Sequence, residues 1–201
     1  MNYLAHLFLS FGHEKIMVGN FIADKVKGKQ WADYEPDIRT GILLHRLIDS
    51  FTDTHPAVKS SKARIRERYH KFSGIVTDMY YDHYLAVAWN NYTDKPLLQF
   101  TRDAYKTLFR YYFVLPSKLR RILPWMATGN WLYSYIDPDN IGLALRGLAS
   151  RINYTDSGIE NGGFELKLYY EDFRRDFEYF FPEVIIYSVE QLQRLMISQK
   201  Q

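Results

Sequence analysis

Polar side chains that recur every four residues inside apolar helical stripes constrain this chain more than any other feature. Asn2/His6, Asn20/Asp24, His45/Asp49/Asp53 and Asp78/Asp82 all follow that spacing. In a helix, residues four apart stack on one face about a turn apart. Taking 36–54 as a helix, Asp49 lies about 40° round from His45 and Asp53 about 80°. Ile38 and Ile42 fall among them, and Leu43, Leu44, Leu47 and Phe51 occupy the remaining directions. A helix apolar nearly all round is a buried one. A buried acid needs a proton or a positive charge beside it. For the His45–Asp49 pair alone, a hydrogen-bonded lock between helices, joined by Arg39 or Arg46, serves as well as a functional site. The second acidic pair tilts the balance. Asp78 and Asp82 lie within about 40° of each other and share their face with Ile75, Leu85 and Trp89. Few basic residues are at hand to neutralise both pairs, and a divalent cation held by imidazole and carboxylate does so at one point. All six histidines fall within the first 83 residues, so the metal-site candidates lie in 1–90.

The remaining periodicity is helical almost throughout. Segments near 2–11, 14–27, 36–54, 56–70, 72–92, 97–113, 116–134, 138–151 and 164–197 read as helices. Pro36 and Pro56 suit first-turn positions, and Asp94-Lys95-Pro96 punctuates two long helices. The best loop lies at 153–163, which contains Asn161-Gly162-Gly163. Val184-Ile185-Ile186 has strand propensity, but after Pro182 it reads as a helix restart. At 201 residues with 47% hydrophobic content, the expectation is a single compact all-α domain of many helices over 1–201.

Several function classes drop out. With no cysteine, thiolate zinc, iron–sulfur clusters and cysteine nucleophiles are excluded, and a reducing cytoplasmic home is the easier reading. The opening residues lack a basic leader, and no apolar run approaches a membrane span. No phosphate-binding glycine loop or serine elbow occurs. The net charge of +3 lacks the concentration of a nucleic-acid binder. Basic clusters do occur at Lys25, Lys27 and Lys29, at Lys59, Lys62, Arg64, Arg66 and Arg68, and at Lys118, Arg120 and Arg121. They suit an acidic partner or a phosphate, although the 59–68 run alone reads as a solvated helix face. His13, His55 and His70 read as surface or capping residues. His83 points about 100° away from Asp82 and ranks below Asp78 as a site residue.

These residues carry a resemblance. Met1-Asn2-Tyr3-Leu4-Ala5-His6, Gly19-Asn20-Phe21-Ile22-Ala23-Asp24, Gly41-Ile42-Leu43-Leu44-His45-Arg46-Leu47-Ile48-Asp49, Thr52-Asp53 and Asp78-Met79 with Asp82-His83-Tyr84-Leu85 resemble the acyl carrier protein phosphodiesterases. Weaker echoes run through Trp131 and 147–151 to Phe181-Pro182. The family looks like a divergent, helical relative of the HD metal-dependent phosphohydrolases. The adjacent His-Asp pair of that group is missing here, since His45 precedes Arg46. The resemblance implies hydrolysis of the phosphodiester that joins 4′-phosphopantetheine to holo-acyl carrier protein, with Mn²⁺, or Mg²⁺, as cofactor. It implies metal ligation by His45, Asp49 and Asp78, with His6, Asp24 and Asp82 as further candidates. Arg46 is expected to neutralise phosphate charge, Asp24 or Asp82 to act as base, and His83 to protonate the departing serine oxygen. Lys25, Lys27, Lys59, Lys62 and Arg66 are expected to dock the acidic carrier protein. A hydrolase of a small nucleotide or other phosphodiester, and a non-catalytic carrier-binding protein, remain alternatives.

Overall fold

Helix is the only regular structure among the described residues, 1–150 and 158–199, of the computed structural model. In chain order the α-helices are α1 (Tyr3–Phe8), α2 (Glu14–Ile22), α3 (Pro36–Thr54), α4 (Pro56–Tyr69), α5 (Ser73–Val87), α6 (Leu97–Arg110), α7 (Ser117–Thr128), α8 (Trp131–Ser134), α9 (Pro138–Ala149), α10 (Gly162–Leu168) and α11 (Tyr170–Ser198). The all-α expectation holds. No helix among the described residues is long and apolar enough to cross a membrane.

Differences from the expected boundaries have local causes. The helix expected over 14–27 stops at Ile22 and tightens into a 3-10 turn over Ala23–Lys25, which carries Asp24 to the surface. The one expected over 116–134 splits at Gly129 and Asn130, where Asn130 adopts a left-handed backbone with φ +41°. Conversely, α11 runs unbroken through Pro182, so the restart expected after it does not occur. Residues 153–157 of the expected loop, and Arg151 of the family-like stretch, lie outside the described residues. His55 is buried rather than superficial. It caps α4 by accepting from the Ala57 amide at 3.2 Å.

Aromatic packing holds the long helices together. Phe173, Phe177 and Phe180 of α11 pack against Tyr80, Tyr81 and Tyr84 of α5, with Tyr80 and Phe173 edge to face at 4.9 Å between centroids. Each of these rings removes a large apolar area from water, and the tilted geometry suits their quadrupoles.

Two contacts fix the part of the fold that matters most here. First, α2 and α3 cross at Gly19 and Gly41 with nothing between them. A methyl group at Gly19 would collide with the Ile38 carbonyl oxygen, and one at Gly41 with that of Ile16. Second, α1 is only six residues long and has no side-chain cap of its own. Instead Asp82 of α5 reaches across: its Oδ2 accepts from the Leu4 amide at 2.8 Å and its Oδ1 from the Ala5 amide at 3.1 Å. A carboxylate at a helix N-terminus satisfies orphan amides and complements the helix dipole. Asp82 is fully buried, and that burial, only partly offset by the two amides, pushes its pKa up to about 7.

Gly19→Ala and Gly41→Ala are each expected to lower the unfolding free energy by roughly 2–3 kcal/mol or more in urea denaturation. Gly147→Ala, at an open helical position, should be neutral or stabilising by up to about 1 kcal/mol. Because the Asp82 pKa is raised on folding, its contribution to stability is greatest below about pH 4 and falls as pH rises to about 7. The stability difference between Asp82→Asn and the unmodified protein should therefore drift in favour of the variant across that window. The drift should total at most about 4 kcal/mol and flatten above pH 7. A pH-independent difference would show that Asp82 ionises freely in the folded protein.

Candidate metal centre

The bare α2–α3 crossing lets the main chain of α2 touch a side chain of α3. His45 Nδ1 lies 2.9 Å from the Asn20 carbonyl oxygen. A carbonyl only accepts, so Nδ1 carries the proton and Nε2 keeps its lone pair in the neutral ring. The side chain of the same asparagine orients the other histidine. Asn20 Nδ2 donates to the His6 carbonyl at 2.9 Å and to Ser10 Oγ at 3.0 Å, while Ser10 Oγ spends its own proton on the His6 carbonyl. Asn20 Oδ1 is thereby turned toward His6 Nδ1, 3.2 Å away, and fixes that nitrogen as a donor too.

Both Nε2 atoms then face one carboxylate. His6 Nε2 is 3.1 Å from Asp49 Oδ1, and His45 Nε2 is 3.1 Å from Asp49 Oδ2 and 3.2 Å from Asp24 Oδ1. The two imidazoles stack at 3.8 Å between centroids. Burial works to lower the His45 pKa, but the hydrogen bonds to Asp24 and Asp49 prevail and raise it to about 9. Burial and the like charge of His45 push His6 down to about 4. One proton on His45 thus satisfies part of the cluster and leaves the His6 lone pair against a carboxylate oxygen. Burial opposes ionisation of Asp49, yet its contacts with His45 and His6 hold its pKa far below the ordinary range. The His45 hydrogen bond also lowers Asp24.

Two Nε2 atoms aimed at a carboxylate, each ring locked through its far nitrogen, are an arrangement that suits a cation once it displaces the His45 proton. The ligand atoms of His6, His45 and Asp49 all lie within 4.8 Å of one another, a spacing one ion can bridge. Next to them, the amino group of Met1 sits 3.0 Å from Asp78 Oδ1 and 3.9 Å from Asp49 Oδ1. Burial raises the pKa of Asp78, against the pull of that amino group.

Among the residues singled out in the sequence, the structure thus gathers His6, Asp24, His45, Asp49 and Asp78. Others fall elsewhere. Both Asp82 oxygens hold the start of α1, so this residue supports the site's wall rather than meeting a water. His83 is fully buried on the other side of α5, with Nδ1 2.8 Å from the Tyr135 carbonyl and Nε2 3.0 Å from the Tyr170 hydroxyl. A side chain so enclosed cannot reach a serine oxygen at the cluster. Arg46 donates to the Val26 and Gly28 carbonyls, both at 3.0 Å, and so pins the segment that follows Asp24. Asp53, the end of its ladder, pairs with Lys62 at 2.6 Å. Lys25, Lys27, Lys59 and Arg66 are exposed. The residue that sequence reasoning left without a role is Asn20. Its signal was present in the Gly19-Asn20 pair, but an amide that orients two rings from a helix crossing has no spacing signature.

Comparison with known proteins identifies the family of the chain. The acyl carrier protein phosphodiesterase family model matches residues 1–184. An acyl carrier protein phosphodiesterase of Escherichia coli O6:H1 is 31% identical over 186 residues, covering 92% of this chain and 96% of that protein. That of Photorhabdus laumondii is 30% identical over 184 residues, covering 90% and 92%. That of Serratia proteamaculans is 33% identical over 152 residues, covering 75% and 79%. No solved structure matches. The chain belongs to the acyl carrier protein phosphodiesterase family.

Proposed function

We propose that this chain is a metal-dependent phosphodiester hydrolase that releases 4′-phosphopantetheine from holo-acyl carrier protein. Family membership supports the substrate, and one geometric observation carries the metal: Asn20 locks both Nδ1 atoms as donors and turns both Nε2 atoms onto one carboxylate, where a cation would displace the His45 proton. His6, His45 and Asp49 would hold the ion, with Asp24 and Asp78 beside them. Mixed imidazole and carboxylate donors suit Mn²⁺, or Mg²⁺ where waters complete the coordination. Such an ion supplies Lewis-acid polarisation of a phosphoryl oxygen and an acidified water. In the net reaction water oxygen joins phosphorus, the bond from phosphorus to the serine oxygen breaks, and that oxygen takes up a proton. Apo-carrier protein and free 4′-phosphopantetheine result. Asp24, which is 59% exposed and held ionised, is the carboxylate best placed to accept the proton of the water. The kinship with HD phosphohydrolases is part of the same reading, since separate helices present imidazole and acid to one point. Lys25, Lys27, Lys59, Lys62 and Arg66 would steer the acidic carrier toward the site.

With Mn²⁺ and holo-carrier protein, mass spectrometry should show conversion to the apo form. His45→Ala and Asp49→Ala should each reduce kcat/KM by about a hundredfold or more. Undiminished cleavage by both variants would refute the site. Asn20→Ala should weaken Mn²⁺ binding by roughly 10–100-fold, read by paramagnetic resonance of the free ion. Raising the salt concentration should lower kcat/KM for holo-carrier while leaving Mn²⁺ affinity nearly constant. A salt-independent kcat/KM would remove the steering lysines from the account.

A further inference from the structure

A cleft of about 970 Å³ opens beside the cluster and shares Met1, Asp24 and Asp78 with it. Its walls come from α1, α5 and the α7–α9 region, and its lining mixes acidic, basic and apolar side chains. Asp24 and Asp78 belong to the candidate metal centre. Lys25, Lys118 and Arg121 are exposed cations on its lining, and the last two stand three residues apart on one face of α7. Other stretches of the lining are apolar. Ile75 and Leu143 are 38% and 56% exposed, and Leu119, Ile122, Ala144 and Leu148 join them. Exposed large aliphatic side chains gathered in a concavity beside a polar cluster are the ordinary makings of a ligand site. The volume lies at the upper end of the range for small-molecule pockets.

We infer that this cleft is the slot for the pantetheine arm of the substrate, with the phosphate at the Asp24–Asp78 end and the thiol end along Leu143 of α9. The inference rests on the hydrolase reading above and adds to it the place and direction of the bound group. Three chemical features of the arm match the lining. Its phosphate is anionic, and the cleft carries the cations Lys25, Lys118 and Arg121. Its two amides need hydrogen-bonding partners, and Asn2, Ser134 and Asn140 line the same cleft. Its geminal methyl groups and methylenes need apolar contact, which Ile75, Ile122 and Leu143 offer. The basic residues of α7 thereby acquire a task that the α4 cluster does not have.

Gly147 gives a clean way to close the slot. It lies on the lining, and a Cβ there meets nothing within 4 Å, so a large side chain can start from it without a clash at its base. Free 4′-phosphopantetheine is titrated by NMR into the unmodified full-length protein, Gly147→Trp and Leu143→Asp, with folding of each checked by circular dichroism. The unmodified protein should bind, and each folded variant should bind roughly tenfold more weakly or less. The variants should also raise KM for holo-carrier more than they lower kcat. Leu143 is exposed, so Leu143→Asp decides the matter should Gly147→Trp not fold. No binding by the unmodified protein, or equal binding by a folded variant, overturns the slot. Cleavage of holo-carrier by the unmodified protein is scored separately. Cleavage with unaltered binding in the variants sinks the slot alone, and slot-dependent binding without cleavage sinks the hydrolase reading alone.

Discussion

The close passage of α2 over α3 at Gly19 and Gly41 is the constraint on which the candidate centre depends. Helix axes normally stand 8–10 Å apart because side chains fill the space between them. Here the crossing point has none, so a main-chain oxygen of one helix reaches an imidazole of the other at 2.9 Å. The residue after Gly19 then does two jobs at once, through its carbonyl for His45 and through its amide for His6. Packing and chemistry are coupled at this point, since any added bulk would move the acceptor as well as the backbone.

Electrostatics explain why such a cluster tolerates burial. Two buried imidazoles meet the partly exposed Asp49, and either ring alone would be costly to desolvate in charged form. Together they divide the charge. Asp49 stays ionised, His45 holds its proton strongly and His6 gives its proton up. The bound proton and a cation are alternative answers to the same excess of negative charge.

Much of this was legible in the sequence because helix geometry is local. The four-residue repeats predicted which faces carry His6, His45, Asp49 and Asp78, and the apolar neighbours of His45 predicted its burial. What escaped the reading depends on relations between helices. Asp82 looked like a partner of Asp78 on one stripe, yet its oxygens serve amides 77 and 78 residues away in sequence. His83 looked adjacent to the site because it is adjacent to Asp82, but one step along a helix turns a side chain by about 100°. Asp24 left its ladder because α2 tightens after Ile22. The split at Asn130 follows from a single left-handed residue, which no apolar periodicity encodes.

The brevity of α1 has its own consequence. Six residues are too few to persist as an isolated helix in water, where the cost of nucleation outweighs so few hydrogen bonds. The amides of Leu4 and Ala5 are met by a carboxylate that α5 brings to them. The direction of His6 thus depends on a contact made more than seventy residues along the chain. The two rings come into register only through a contact between distant parts of the chain, so the cluster is a product of tertiary packing and not of local helix formation.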